Sequence, residues 1–364
     1  MSEGQALHSF TWMMAATALL AGTALHAQPA MSAATGHVRI LATGGTIAGR
    51  GNAAGTGYRS GAVSVDDLIA ALPGVDKIAR VSGEQIANVP SSDMDEAIWR
   101  KLHARALAAF ADPDVAGIVV THGTDTLEET AFLLSLILPP TKPVVVVGAM
   151  RPSTAVSADG PQNMLDAIRV VTALASAGRG VMVVMNDSIF DPRSVTKFDV
   201  NRIEAFTAPS RGPIGHVLNL APRYFGPPQP QPAVLALGEA KLPRIAVVYA
   251  YAGQTEDEVR DIARDADGVI VAGVGTGGVS SGARKALRAL VAKNIPVVTT
   301  PRQGHGDVRR AEPAAQSDDD DRVPTIGGRE LTPAKARILL MLALQQPRTM
   351  AELQTIFDRA GTTN

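Results

Sequence analysis

Residues 115–134, VAGIVVTHGTDTLEETAFLL, constrain the fold more than any other stretch. Val115–Val120 is apolar and β-branched, and short enough to be a buried strand. A polar turn follows, Thr121-His122-Gly123-Thr124-Asp125, and then a helix. Thr126 with Glu129 three residues later predicts a capping box that fixes the helix start. Thr124 and Asp125 therefore fall where a strand ends and a helix begins, which is where open α/β sheets bind ligands. In an isolated turn a Thr-Asp pair is more simply a cap. The rest of the chain argues for chemistry.

The same alternation recurs from end to end. A strand at His37–Ala42 leads into the glycine-rich Thr43-Gly44-Gly45-Thr46-Ile47-Ala48-Gly49. A Gly-, Ala- and Asn-rich loop holding Tyr58 comes next, with the composition of a lid, and Ser64 caps the following helix. Ala79–Asn88 is a strand whose end carries Ser91 and Ser92. Either serine suits a helix cap or a ligand contact, capping being the simpler reading. Strands at Pro143–Gly148 and Gly180–Met185 flank a helix over Asn163–Ala175, and Asn186-Asp187 opens a polar segment containing Lys197. Such alternation predicts an α/β fold with a parallel sheet covered by helices on both faces, and the polar clusters gather at the carboxyl ends of its strands. A stiff Pro-rich run at 226–243 reads as a linker between residues 37–225 and a smaller α/β domain at 244–364.

Composition narrows the class. Of 364 residues 46% are hydrophobic and 19% charged, with net charge −1, as expected of a globular protein without the basic patches of nucleic-acid binders. Trp12–Leu25 is apolar and too short to span a bilayer, and Leu25-His26-Ala27 is an acceptable cleavage site, so residues 1–27 read as a signal peptide, although no Lys or Arg precedes the apolar run. The expected location is then periplasmic or secreted, with no membrane attachment once the signal is removed. With no cysteine, disulfides and thiol chemistry are excluded. The histidines lack metal-ligand spacing, Asp318–Asp321 read as a solvated acidic loop, and no GxxxxGK[ST] is present, so no metal or cofactor is expected. What remains is hydroxyl chemistry built on Thr46, Thr124 and Tyr58 with Asp125 and Lys197, in which a base must take the proton of a weakly nucleophilic threonine.

GGTIAG, THGTDTLEETA, VGAMRPS with SADGP, and MND followed by VTK together resemble the bacterial type II L-asparaginases over essentially the whole mature chain. The resemblance implies that Thr46 is the nucleophile and Tyr58 its assistant, and that Thr124, Asp125 and Lys197 form the Thr-Asp-Lys set. It places substrate contacts at Ser91, Ser92, Thr124, Asp125 and Thr276. Ser92 stands where many relatives have Gln or Glu, and Thr276 where they have Asn or Ser. Glu312 best matches a glutamate donated by a neighbouring subunit. The resemblance also implies a homotetramer whose sites lie between subunits, and hydrolysis of L-asparagine through an acyl-enzyme. A glutaminase-asparaginase acting also on L-glutamine is the nearest alternative. A periplasmic amino-acid-binding protein is the alternative from another class, and it leaves the combined Thr, Asp and Lys motifs unexplained.

Overall fold

A computed structural model describes residues 36–51, 58–59, 61–229, 234–310 and 323–362, with residues 50, 51, 58 and 59 as backbone. The proposed signal segment, Glu312 and Asp318–Asp321 lie outside the described residues.

The first half of the chain builds a mixed sheet. Its strands are β1 (His37–Gly44), β4 (Arg80–Val89), β5 (Val115–Thr121), β6 (Val144–Val147), β7 (Val181–Met185), β8 (Ser188–Phe190), β11 (Gly215–Leu218) and β12 (Ala221–Tyr224). Between them lie two short ladders, β2 (Arg50–Gly51) with β3 (Tyr58–Arg59), and β9 (Thr196–Lys197) with β10 (Phe206–Thr207). The sheet order is β12-β11-β8-β7-β6-β5-β1-β4. From β4 to β7 every pairing is parallel, as the alternation implies. The chain then reverses at Asn186 and Asp187, whose φ angles of 49° and 60° make a two-residue hairpin, and β8, β11 and β12 join antiparallel. Asn and Asp tolerate this left-handed pair better than other non-glycine residues.

Side chains alternate faces along these strands, and each face has its own core. Ile40, Val119, Val145 and Val184 pack with α1 (Val65–Ala70) and α4 (Gly160–Thr172). Leu41, Ile118, Val146 and Val183 pack with α2 (Glu96–Ala111) and α3 (Leu127–Ile137). The second half forms a smaller parallel sheet of β13 (Ile245–Tyr249), β14 (Gly268–Gly273), β15 (Val297–Pro301) and β16 (Ile326–Gly327). Alpha-helices α5 (Glu256–Ile262) and α6 (Ser281–Ala292) cover one face. On the other, α7 (Pro333–Ala343) joins the core that contains α3, and α8 (Met350–Gly361) closes the chain. Among the described residues no helix is long and apolar enough to cross a membrane.

Some local expectations are corrected. Asp95, not Ser91 or Ser92, caps α2, its carboxylate accepting the Ile98 N–H at 2.8 Å. The serines instead lie in a single 3-10 turn that precedes the cap. Thr126 does open α3, but the capping box does not form. Its hydroxyl donates to the Ser91 carbonyl at 2.6 Å, and the Glu129 carboxylate pairs with Arg337 at 3.2 Å. Alpha-helix α4 begins at Gly160-Pro161 rather than Asn163, since proline at the first turn gives up no helical hydrogen bond. It ends at Thr172 rather than Ala175, where a separate 3-10 turn takes over.

The sheet order sets up a switch point. Strand β1 lies between β4 and β5, so loops leaving its neighbours diverge and open a crevice above its carboxyl end. At the crevice floor Gly45, at φ 81°, touches Gly123: a Cβ on Gly45 would stand 2.3 Å from the Gly123 nitrogen. Gly45→Ala should therefore lower the unfolding free energy by about 3 kcal/mol or more, from backbone strain plus overpacking. Urea denaturation checks this, and wild-type stability in the variant would contradict it.

Candidate active site

The crevice collects side chains from three adjacent strand ends and one distant segment. Thr46 follows β1 in a single 3-10 turn, Ser91 follows β4, and Thr124 and Asp125 follow β5. Thr46, Ser91 and Thr124 are buried, at 6%, 4% and 5% exposure. Close packing of backbone on backbone brings them together. Gly123 leaves no room for a side chain, because a Cβ there would meet the Ser91 Cβ and Oγ at 2.9 Å. The Thr126 hydroxyl ties the two loops by its bond to the Ser91 carbonyl.

Lys197 arrives from β9 and completes the group. Its ammonium Nζ donates to Thr124 Oγ1 at 2.9 Å and to Asp125 Oδ1 at 2.5 Å. Its own N–H donates to Glu128 Oε2 at 2.9 Å, so backbone and side chain are both anchored on the first turn of α3 and the residues before it. The Lys197 side chain is 13% exposed and that of Asp125 69%. The lysine is thus largely enclosed while the carboxylate is open to solvent. The arrangement links a hydroxyl oxygen, a cation and a carboxylate by hydrogen bonds, the connectivity a proton relay without a histidine needs.

The other expected residues fall differently. Ser92 is exposed, its hydroxyl donating to Asp93 Oδ1 at 3.3 Å. The Tyr58 backbone pairs with Gly51, and its side chain lies outside the described residues. Thr276 is exposed on the turn after β14, closed by paired bonds between Val274 and Gly278. Glu312 lies outside the described residues. Among the described residues no cluster of His, Asp and Glu could hold a metal.

Polar residues that the sequence reading passed over brace the site from behind. Met150 and Arg151 N–H groups donate to the Asp159 carboxylate at 2.9 Å each. Buried Asn163 donates to the carbonyl of Gly148 at 3.0 Å and accepts from the Asn186 N–H at 3.0 Å. The ends of β6 and β7 and the start of α4 are thereby locked together, which gives the VGAM, SADG and MND stretches a shared structural task. Buried polar groups of this kind are costly unless each is satisfied.

His122 is fully buried beside the turn, its Nδ1–H donating to the Gly123 carbonyl at 2.8 Å. Burial pulls its pKa from 6.5 down to about 4, and the bond to Gly123 offsets only part of that. The imidazole is neutral at physiological pH and is not a proton carrier. In the unfolded chain it protonates near 6.5, so its contribution to stability is complete above that pH and is lost as pH falls toward 4. The loss should amount to roughly 3 kcal/mol between pH 7 and pH 4. Urea denaturation across that range checks it. This part of the pH dependence should vanish in His122→Gln, and an unchanged dependence would contradict the assignment.

Comparison with known proteins fits this geometry. The family model for the asparaginase N-terminal domain matches residues 37–229, and that for the glutaminase/asparaginase C-terminal domain matches residues 244–357. The chain is similar to L-asparaginase 2 of Bacillus subtilis, at 40% identity over 88% of this chain and 86% of that one. It is also similar to the probable periplasmic L-asparaginase of Haemophilus influenzae, at 36% identity over 88% of this chain and 92% of that one. Among solved structures, the probable cytoplasmic L-asparaginase of Campylobacter jejuni superimposes with a TM-score of 0.80 at 35% identity, covering 89% of this chain and 99% of that one. With both halves matched, and with a threonine, aspartate and lysine joined at the crevice, the chain belongs to the asparaginase family.

Proposed function

We propose that the chain is an amidohydrolase that converts L-asparagine to L-aspartate and ammonia, with residues 37–225 and 244–364 as its two domains. The observation that carries this reading is Lys197 Nζ donating to both Thr124 and Asp125, beside buried Thr46. Asp125, exposed at the crevice, takes the substrate α-amino group, and Ser91 with nearby backbone N–H groups takes the α-carboxylate. The side-chain amide then lies over Thr46, whose hydroxyl oxygen attacks the amide carbon. Backbone N–H groups near Thr124 stabilise the developing oxyanion, each by about 3 kcal/mol. Ammonia leaves with the proton given up by the hydroxyl, and water hydrolyses the acyl-enzyme. Tyr58, which follows Thr46 in the chain, assists the attack.

Selectivity follows from the same residues. Asparagine and glutamine differ by one methylene, worth roughly 1–3 kcal/mol in a fitted pocket. Ser92 is short and turned to Asp93, so the pocket wall there is open, which favours a measurable glutaminase activity. The matched C-terminal model carries both activities in its name.

The N-terminal apolar segment supports export to the periplasm, a location that the relative from Haemophilus influenzae bears in its name. A homotetramer is what the resemblance implies, and the apolar surface just after Lys197 supports an interface between copies. Phe198 and Val200, just after Lys197, are 80% and 77% exposed, and a second copy would cover them. In that assembly Glu312 would be the residue given to a neighbour's site.

Thr46→Ala and Thr124→Val should each lower kcat for ammonia release from L-asparagine by about 10³-fold or more. Near-wild-type turnover in either overturns the reading. The ratio of kcat/KM for L-asparagine and L-glutamine decides between a selective asparaginase and a glutaminase-asparaginase.

A further inference from the structure

Lys335, in the third position of α7, is fully buried. Its ammonium lies against the segment that leads from β8 into β9, donating to the carbonyls of Arg193, at 3.1 Å, and of Val195. The same segment bends around Asp191, whose carboxylate accepts the Arg193 N–H at 2.9 Å and whose carbonyl accepts the Val195 N–H at 3.0 Å. Two residues beyond Val195 is Lys197. There the opposite anchor takes over, Glu128 accepting the Lys197 N–H.

A buried ammonium is a poor choice for stability alone. Removing a cation from water is costly, and an apolar side chain of similar volume is often neutral or stabilising in such a position. Burial pulls the Lys335 pKa down, and the surrounding carboxylates of Glu128, Asp191 and Glu129 pull it back up. What the ammonium does provide is direction. It fixes two carbonyls of an irregular segment that has no sheet partner until β9, and so sets where the next side chain emerges.

We infer that Lys335 is a positioning residue for Lys197, reaching from a helix of the second half of the chain to aim the lysine that meets Thr124 and Asp125. The inference rests on the proposed amidohydrolase reading. It gives the C-terminal half of each chain a part in that chain's own site, by way of the backbone at 193–197.

A double-mutant cycle on the full chain tests it. Lys335→Met should lower kcat for ammonia release from L-asparagine by about 10- to 100-fold, the scale on which a displacement of roughly 1 Å acts. KM should stay within about threefold, because the groups that hold the substrate ends remain in place. In a Lys197→Met background the same substitution should have little further effect on kcat, since residues acting as a unit are not additive. Lys335→Gln, which keeps an N–H donor for the two carbonyls, should recover part of the loss, and it carries the cycle if the Met variant does not fold. Unchanged kcat in the folded variants, or an equal loss with and without Lys197, overturns the inference. Full kcat in Lys197→Met alone overturns instead the reading on which it rests.

Discussion

Everything at the crevice depends on the backbone of Gly45 lying against the backbone of Gly123. These residues leave the ends of neighbouring parallel strands, and a Cβ on the first would fall 2.3 Å from the nitrogen of the second. Such an approach is open only to glycine. It lets two loops that would otherwise splay apart present Thr46 and Thr124 to one space. Ser91 is drawn in by the same means, packed on Gly123 from the third strand. The hydroxyls of Thr46, Ser91 and Thr124 are thus placed by the absence of side chains behind them, before any polar interaction acts.

Electrostatics then orders what the backbone has gathered. Lys197 comes from a segment 72 residues further along the chain than Asp125, and a sheet end alone cannot place it. Its position follows from charge on both sides of its strand, Glu128 on the backbone N–H and Lys335 on the preceding carbonyls. His122 plays the opposite part. Buried and held neutral, it stiffens the turn by bonding the Gly123 carbonyl and takes no charge into the crevice. In the proposed mechanism proton transfer is left to the hydroxyls and the lysine.

Local pattern made part of this legible in the sequence. The strand ahead of Thr124, the helix opening at Thr126 and the glycine-rich turn before Thr46 all follow from runs of apolar residues and their punctuation. What composition and spacing do not carry is which distant groups meet. The capping box failed because Ser91, 35 residues away, claimed the Thr126 hydroxyl, and Arg337 claimed Glu129. The hairpin at Asn186-Asp187 depends on a left-handed pair that reads equally well as a loop. Lys335 had a signal that could have been used: it shares a helix face with Ile338, Leu339 and Leu342, all buried, so a charge sits in phase with an apolar stripe. Asn163 had none, since its value lies in joining strands that only the folded sheet brings together.

In the proposed mechanism Thr46, and not Thr124, carries the acyl group during turnover. Lys197 bonds Thr124 directly, so the two threonines compete for the role of nucleophile on structural grounds. The decisive measurement is acid quenching of the enzyme in steady state with L-asparagine, followed by peptide mass spectrometry of both turns. With Thr46 as nucleophile, the aspartyl ester should be found on the peptide containing Thr46 and not on that containing Thr124. An ester on Thr124 would contradict it.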